Sequence, residues 1–528
     1  MEYALDEREL CDLECLLNGS FAPLKTYMTQ SQYNSCVETL MIDGSDVFPI
    51  PIVLMSMADV PLDTVLTLKS KTGISHATLT VKECWQPDLT KEWVCVFGTD
   101  DDTHPYIKYI KERIQGANKV WYVSGELTMV NTTFHDTFLE YRRSPQNLKA
   151  SGPWLGFQTR NPLHRSHVEL IRNSARQCTA PVLLHPVEGV TQECDVPFPV
   201  RMKSYQNVLS HFLGQRVALS ILSLSMRMAG PREAVWHAVI RRNHGCSHFI
   251  VGRDHAGPSY RKKDGSSFYG PLEAQQLALL MESKIGITIM PSEELVYCED
   301  IMTYMPVSRT TGHVIKQISG TRFRKMLENG EEVPSWYSYS DVIQPLQDFY
   351  QRPKGLCVYF MGLSGAGKST LASKLRARIQ EELPHKEITI LDADEIRTHL
   401  SKGLGFSKAD RSTNVRRIGY VASEIVKHGG IVLVANIAPF QEDRAANRAL
   451  IEPYGRYIEV YVNTPIEECE RRDVKGLYKA ARAGTLANFT GVSDPFEVPT
   501  RSELILTGGT VEEQVTSVWK AISESSSK

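Results

Sequence analysis

The amino-acid sequence predicts a multidomain α/β protein, and three observations carry that reading. At 528 residues the chain is too long for one hydrophobic core. Up to residue 145 it is a series of short strand-like runs punctuated by turn formers. From Trp154 onward, apolar strand-like runs alternate with helical patterns, as parallel sheets with crossover helices require.

The expected divisions are 1–145, 146–305, 306–352 and 353–528, with Arg352-Pro353-Lys354 as the last joint. In the first, the strands expected are Ile50–Leu54, Val65–Leu68, Ala77–Val81, Trp93–Gly98 and Lys119–Ser124, a small barrel-like β unit. Phe21-Ala22-Pro23-Leu24, Gly98-Thr99-Asp100 and His104-Pro105 read as turns and loops.

The second division opens with a strand, Trp154–Gln158, that runs into Thr159-Arg160-Asn161-Pro162-Leu163-His164-Arg165-Ser166-His167 and then a helix. Two histidines three apart at a helix start, beside Arg160 and Asn161, suit an anion. Imidazole N–H groups and a guanidinium at a positive helix end can stabilise charge building on an α-phosphate. Two other readings stay open at this point. His-x-x-His can supply two metal ligands, though no carboxylate or cysteine supports it at a suitable interval, and the same residues can simply cap the helix.

Further on, Pro231 starts a helix that runs through Trp236, Val239 and Ile240 to a glycine stop at Gly245. The strand Ser247–Val251 then opens onto Gly252-Arg253-Asp254-His255-Ala256-Gly257-Pro258. Ligands of parallel sheets bind at such strand ends. Two strand ends thus present Gln158, Arg160, His164, His167, Arg253, Asp254 and His255, a set suited to a polyphosphate and a second small anion. His237 and His248 read as packing histidines. Asp341–Gln351 reads as a short closing helix.

In the last division, the apolar run Leu356–Met361 precedes Gly362-Leu363-Ser364-Gly365-Ala366-Gly367-Lys368-Ser369, which matches G-x-x-x-x-G-K-[ST] at every fixed position. Leu371, Leu375, Ile379 and Leu383 follow at helical spacing. Glycines let backbone N–H groups face phosphate oxygens, and the helix N-terminus adds its positive end. These residues with Thr370 are the expected ATP-binding loop, Lys368 reaching the β- and γ-phosphates and Ser369 holding Mg²⁺. The strand Ile388–Leu391 ends in Asp392-Ala393-Asp394, two carboxylates suited to positioning the metal or activating a hydroxyl. Phe406 and the arginines of Asp410–Arg417 suit a base and an anionic acceptor, although a solvated helix face would also explain Arg416 and Arg417. After strands Ile431–Val434 and Ile458–Val462, the stretches Arg471–Tyr478 and Asn488–Pro495 read as a lid.

Composition narrows the classes. Apolar residues make up 42% and charged residues 23%, and 59 basic against 61 acidic side chains leave a formal charge of -2. No global field favours nucleic acid or an anionic membrane, so neither partner is expected. The eleven cysteines are odd in number and form no C-x-x-C pair, which suggests neither a disulfide framework nor a zinc site. Met1–Glu14 is acidic rather than leader-like, and no apolar run approaches the ~18 residues a membrane span needs. Cytoplasm is the expected compartment.

Gln158–His167, Met226–Ala234, Gly252–Gly257 and Ile318-Ser319-Gly320-Thr321 together resemble the ATP sulfurylase (sulfate adenylyltransferase) family, in the right order over residues 1 to 350. The resemblance implies a PUA-like β domain, a Rossmann-like nucleotidylyltransferase domain and a small C-terminal extension. It also implies the reaction: a sulfate oxygen attacks the α-phosphorus of ATP, giving adenosine 5'-phosphosulfate (APS) and pyrophosphate. By carry-over, Gln158 and Arg160 bind sulfate, with Thr159 and Ala256 in the substrate site. His164 and His167 meet the ATP phosphates at the reacting centre, and Asn161 and Arg253 hold nucleotide or pyrophosphate. Lys25-Thr26-Tyr27-Met28 lacks a family glycine, and Met228 stands where tyrosine is common.

Residues 353 to 525 resemble APS kinase, which implies a P-loop kinase domain that phosphorylates the 3'-hydroxyl of APS to give 3'-phosphoadenosine 5'-phosphosulfate (PAPS). By carry-over, Asp394 partners the 3'-hydroxyl, Arg397, Arg411 and Asn414 grip APS, Phe406 and Phe489 sandwich its adenine, and Lys475 and Leu477 lie in the acceptor pocket. Ala393 replaces the usual glycine between the aspartates, and Ala438 stands where a serine often precedes the proline. The two resemblances imply a homo-oligomer acting on ATP, sulfate and APS with Mg²⁺. Two alternatives remain open: a C-terminal unit that only binds nucleotide as a regulator, as in fungal relatives with a degraded P-loop, and a sulfurylase running in reverse to make ATP from APS.

Overall fold

A computed structural model describes the chain except residues 118, 193–194, 353, 384–385, 474, 487 and 525–528. Pro353 of the expected joint and Val474 of the expected lid lie outside the described residues. The chain forms two compact units, Met1–Gln351 and Arg352–Lys528.

Unit 1 begins with a five-stranded sheet in the order Glu2–Ala4, Val65–Lys69, Ser75–Trp85, Trp121–Met129, Leu54–Ser56. The first pair is parallel and the others antiparallel. Ser75–Trp85 buries Ala77, Leu79 and Val81 on one face, the period of two that a half-covered strand needs.

Two expected strands are not found. Trp93–Gly98 belongs instead to a helix, Leu89–Phe97. Asp88 caps it by accepting from the Lys91 N–H, and Gly98 ends it at φ 70. The apolar run that resembles a strand buries Trp93, Val96 and Phe97 at helical spacing while Val94 is exposed. Ile50–Leu54 is extended only from Leu54, because Pro49 and Pro51 have no N–H to give a ladder around Ile50. Helices Glu7–Asn18, Gln30–Thr39 and Pro105–Arg113 complete this part. Its core continues onto Leu222, Leu224 and Met226, which follow strand Val217–Leu219, and onto Trp236 and Ile240 of helix Pro231–Asn243.

That second sheet is wholly parallel, in the order Val217–Leu219, Val182–Pro186, Trp154–Thr159, Cys246–Val251, Thr288–Pro291. Helix Arg165–Cys178 follows its central strand, and helix Pro231–Asn243 leads into the neighbouring one. Trp154–Thr159 and Cys246–Val251 are paired, so both candidate loops leave the same edge of the sheet side by side. A three-stranded antiparallel sheet and helices Gly320–Glu328 and Ser340–Tyr350 close the unit.

Unit 2 is a parallel sheet in the order Ile388–Asp392, Ile431–Ala435, Gly355–Met361, Gly455–Val462, Leu504–Leu506. Every residue of central Gly355–Met361 is buried, as an apolar run between two helical layers must be. Leu371, Leu375 and Ile379 of helix Lys368–Glu382 pack into that core. Among the described residues, no helix is long and apolar enough to cross a membrane.

Candidate active sites

In unit 1, the turn after Trp154–Thr159 is built by its own polar groups. Thr159 Oγ1 donates to the Asn161 carbonyl at 2.7 Å and accepts from the Asn161 N–H at 3.1 Å. His164 is the N-cap of the following helix, and its backbone N–H donates to Nδ1 of His167 at 3.1 Å. The His164 ring is fixed by Ser338 Oγ at 2.9 Å from Nδ1 and by Tyr337 and Phe323, 4.6 and 4.8 Å away. Burial lowers the pKa of His164 to about 3, helped by His167. Burial lowers that of His167 to about 4. Both rings are therefore neutral hydrogen-bond donors near pH 7 rather than cations.

A cavity of about 690 Å³ opens here, lined by Gln158, His164, His167, Arg253, Asp254 and His255, with Trp336 and Tyr337 on another side. Arg160 is paired with Asp195 at 2.9 Å, and Asn161 has an exposed side chain. Thr159, Arg160, Asn161 and Ala256 neighbour the lining residues in sequence without forming the cavity wall. Asp254 and Ala256 have φ of 53 and 57, so the loop bends through two left-handed residues. Arg253 is exposed, 3.5 Å from Glu294. His237, expected only to pack, is buried but lies 3.3 Å from Gln158 Nε2 and 3.0 Å from His255 Nε2.

In unit 2, Gly362, Gly365 and Gly367 have φ of 145, 73 and 106, and a Cβ on Gly362 would lie 2.5 Å from the Val462 carbonyl oxygen. Only glycines allow this loop. Helix Lys368–Glu382 starts with no side-chain cap, leaving its first N–H groups for a ligand. Lys368 Nζ donates to the carbonyls of Gly362 and Leu363 at 3.0 and 2.7 Å. Burial lowers its pKa to about 8, against the opposing pull of Cys469, Asp392 and Asp394. The Ser369 hydroxyl donates to Asp392 Oδ2, whose other oxygen accepts from the Asp394 N–H at 2.9 Å. Lys475 pairs with Asp394.

One cavity of about 640 Å³ brings together Ser364, Gly365, Gly367, Lys368, Ser369 and Thr370 with Asp394, Arg397, Phe406, Arg411, Asn414, Lys475, Leu477 and Phe489. The Arg397 guanidinium lies 4.5 Å over the exposed Phe406 ring, and Phe489 packs edge-on against Tyr478. Arg411 is held by Thr490 at 2.7 Å and by Asp494, and Asn414 Oδ1 is buried without a partner among the described residues. Arg416, by contrast, pairs with Asp443 and Glu442 away from the cavity, the solvated-face reading.

Three family models match in sequence: PUA-like domain over residues 1–132, ATP-sulfurylase over 136–349 and adenylylsulphate kinase over 354–507. The sulfate adenylyltransferase of Gibberella zeae is 40% identical over 521 residues, 95% of this chain and 89% of that protein. The chain belongs to the sulfate adenylyltransferase family. The sulfate adenylyltransferase of Mycosarcoma maydis is 38% identical across 96% of this chain and 90% of its own length. The hexameric APS kinase from Thiobacillus denitrificans matches at a TM-score of 0.74 and 28% identity, over 99% of this chain and 92% of that one. A sulfurylase domain and an APS kinase domain in one chain make this a bifunctional enzyme of two-step sulfate activation, from sulfate through APS to PAPS.

Several polar groups of unit 1 are not marked by any motif. Asp195 beside Arg160, Ser338 beside His164 and Tyr337 over the same ring come from distant parts of the chain. Glu233 lay within the conspicuous Met226–Ala234 segment, but nothing local showed that its carboxylate would be buried.

Proposed function

We propose that unit 1 forms APS and pyrophosphate from ATP and sulfate and that unit 2 phosphorylates APS to PAPS with a second ATP. What carries the reading is the second cavity, where the phosphate loop and every residue expected to touch APS meet. In unit 1, His164 and His167 donate neutral N–H groups to the α-phosphate as negative charge builds there, each donor worth roughly 3 kcal/mol in the transition state. Gln158, Arg160, Thr159 and Ala256 receive sulfate, while Asn161 and Arg253 hold the nucleotide and the departing pyrophosphate. The attacking oxygen is already anionic, so the step needs alignment more than a base.

In unit 2, Lys368 leaves the carbonyls it now meets and turns to the β- and γ-phosphates. The Ser369 hydroxyl and Asp392 carboxylate are hard oxygen donors in direct contact, a pair that fits Mg²⁺ arriving with ATP. Ser369 and Asp392 would hold the ion, which would supply positive charge against the phosphates. Asp394 accepts the proton of the 3'-hydroxyl, with Lys475 orienting its carboxylate. Arg397, Arg411 and Asn414 hold the anionic end of APS, Phe406 and Phe489 take the adenine, and Leu477 closes the acceptor pocket. The division of the chain at 145, 305 and 352, a homo-oligomeric state and a cytoplasmic location belong to the same reading.

The test separates the sites. Lys368→Ala is expected to abolish PAPS formation while APS still forms, and His164→Ala or Arg160→Ala to abolish sulfate-dependent pyrophosphate release while added APS is still phosphorylated. PAPS from the first variant, or undiminished pyrophosphate release from the others, would overturn the assignments. The curated fungal relatives bear the name sulfate adenylyltransferase alone, which keeps a regulatory C-terminal unit as the second reading. That reading predicts no PAPS from the unaltered chain.

A further inference from the structure

Behind the wall of the sulfurylase cavity lies a buried chain of polar groups. Glu233 is fully buried in the first turn of helix Pro231–Asn243. Its two oxygens accept from the backbone N–H groups of Arg227 and Ala229 at 2.9 and 2.8 Å. Oε1 is also 3.3 Å from Nε2 of His237, one turn along the helix and equally buried. His237 Nδ1 is 3.0 Å from Nε2 of His255, and its Nε2 is 3.3 Å from the amide of Gln158. His255 and Gln158 both line the cavity.

The order of hydrogens along this chain follows from its fixed end. Two backbone donors hold Glu233 as an acceptor, so His237 Nε2, 3.3 Å from both Glu233 Oε1 and the Gln158 amide, carries its one hydrogen and presents it to both neighbours. That hydrogen faces the amide nitrogen of Gln158, which cannot accept it. The amide oxygen is buried with no partner among the described residues. A half-turn of the amide removes the first defect and puts an NH₂ in place of the oxygen at the position without a protein partner. Its oxygen then shares the His237 hydrogen with Glu233 Oε1, and its NH₂ becomes the end without a protein partner, a donor to an oxyanion. On the other side, a neutral His237 accepts at Nδ1 from His255 Nε2–H, which fixes that ring in the cavity wall.

We propose that Glu233, acting through His237, is a positioning residue of the sulfurylase site that makes Gln158 present its N–H donors to sulfate. The inference rests on the reading of Gln158 as a sulfate ligand. Glu233→Gln keeps the volume but gives His237 a donor to face, so the hydrogen order reverses and Gln158 turns its oxygen to the substrate. His237→Leu removes the relay and leaves the backbone bonds of Glu233 intact. His237→Gln keeps an N–H near the position of Nε2.

The experiment is steady-state sulfurylase kinetics of the full chain for each variant, alone and combined with Gln158→Ala. Glu233→Gln and His237→Leu are expected to raise KM for sulfate about tenfold, the cost of one mispaired buried hydrogen bond, with kcat and KM for ATP within about threefold. His237→Gln should stay near wild type, and neither impaired variant should add to the loss in Gln158→Ala. A general loss of structure would instead move both substrates and add. An unchanged sulfate KM in Glu233→Gln and His237→Leu, or additive losses, overturns the relay alone. An unchanged sulfate KM in Gln158→Ala overturns the ligand assignment and the relay with it.

Discussion

The backbone N–H of His164 donates to Nδ1 of His167 at 3.1 Å, and this bond decides which nitrogen of the second histidine is left for a substrate. A nitrogen that accepts carries no hydrogen, so the neutral ring bears it on Nε2. His167→Asn keeps an acceptor near Nδ1 and removes the Nε2–H. Its Tm is expected within about 2 °C of wild type while sulfurylase kcat falls about a hundredfold. A lowered Tm with wild-type kcat would make His167 only a helix cap.

Lys368 gives unit 2 a pH signature. Burial holds its pKa at about 8, and bound phosphates favour the charged form. Below pH 8 the lysine is already protonated, and above it binding must bring a proton. ADP binding at pH 9, measured calorimetrically in buffers of different ionisation enthalpy, is expected to take up close to one proton, and Lys368→Ala to lose that uptake. Equal heats in both buffers for the unaltered chain would show that the lysine is charged beforehand.

Acid should weaken the two units unequally. Burial lowers the pKa of His104 and His244 to about 4 and that of His164 to about 3, and it holds His185 and His255 well below the ordinary imidazole value. In the unfolded chain these rings take protons below about pH 6.5, while the folded unit does not until near pH 4. More protons on the unfolded state mean that stability is full above pH 6.5 and falls as pH drops toward 4. All five lie in unit 1. Heat inactivation at pH 7.5 and 5.5 is expected to lower the midpoint of the sulfurylase by several degrees, roughly, and that of the kinase by less. Equal shifts would mean that the buried histidines are not the acid-sensitive groups.

What was legible in the sequence was local. The phosphate loop is eight consecutive residues whose glycines and lysine serve one purpose, and the strand before it and helix after it were readable with it. The strand ends carrying Gln158 and His255 were readable because parallel sheets place ligands there. The buried relay was not, since Glu233, His237 and Gln158 are joined only by the packing of a helix on a strand. Nor was the pairing of Arg160 with Asp195, 35 residues away in the chain. In the N-terminal sheet, aromatic and β-branched residues at Trp93–Phe97 suggested a strand, and the cap at Asp88 and the stop at Gly98 overrode that preference.

The two departures from the APS kinase pattern have different structural weight. Ala393 opens helix Ala393–His399 behind the Asp392 cap, and its φ is not in the left-handed region, so no glycine is required there. Ala438 is buried at φ 46, where an alanine is strained. Ala393→Gly is expected to leave kinase kcat/KM within about twofold and to cost up to about 1 kcal/mol of stability. Ala438→Gly is expected to raise the Tm of unit 2. A large gain in kinase activity from Ala393→Gly would show that the alanine restricts the turn.

The most direct measurement incubates the pure protein with ATP, Mg²⁺, radiolabelled sulfate and pyrophosphatase and separates the labelled nucleotides. Two working sites in one chain predict labelled PAPS, with APS as a transient. Label that stops at APS would contradict a catalytic kinase unit and leave the C-terminal cavity as a regulatory nucleotide site.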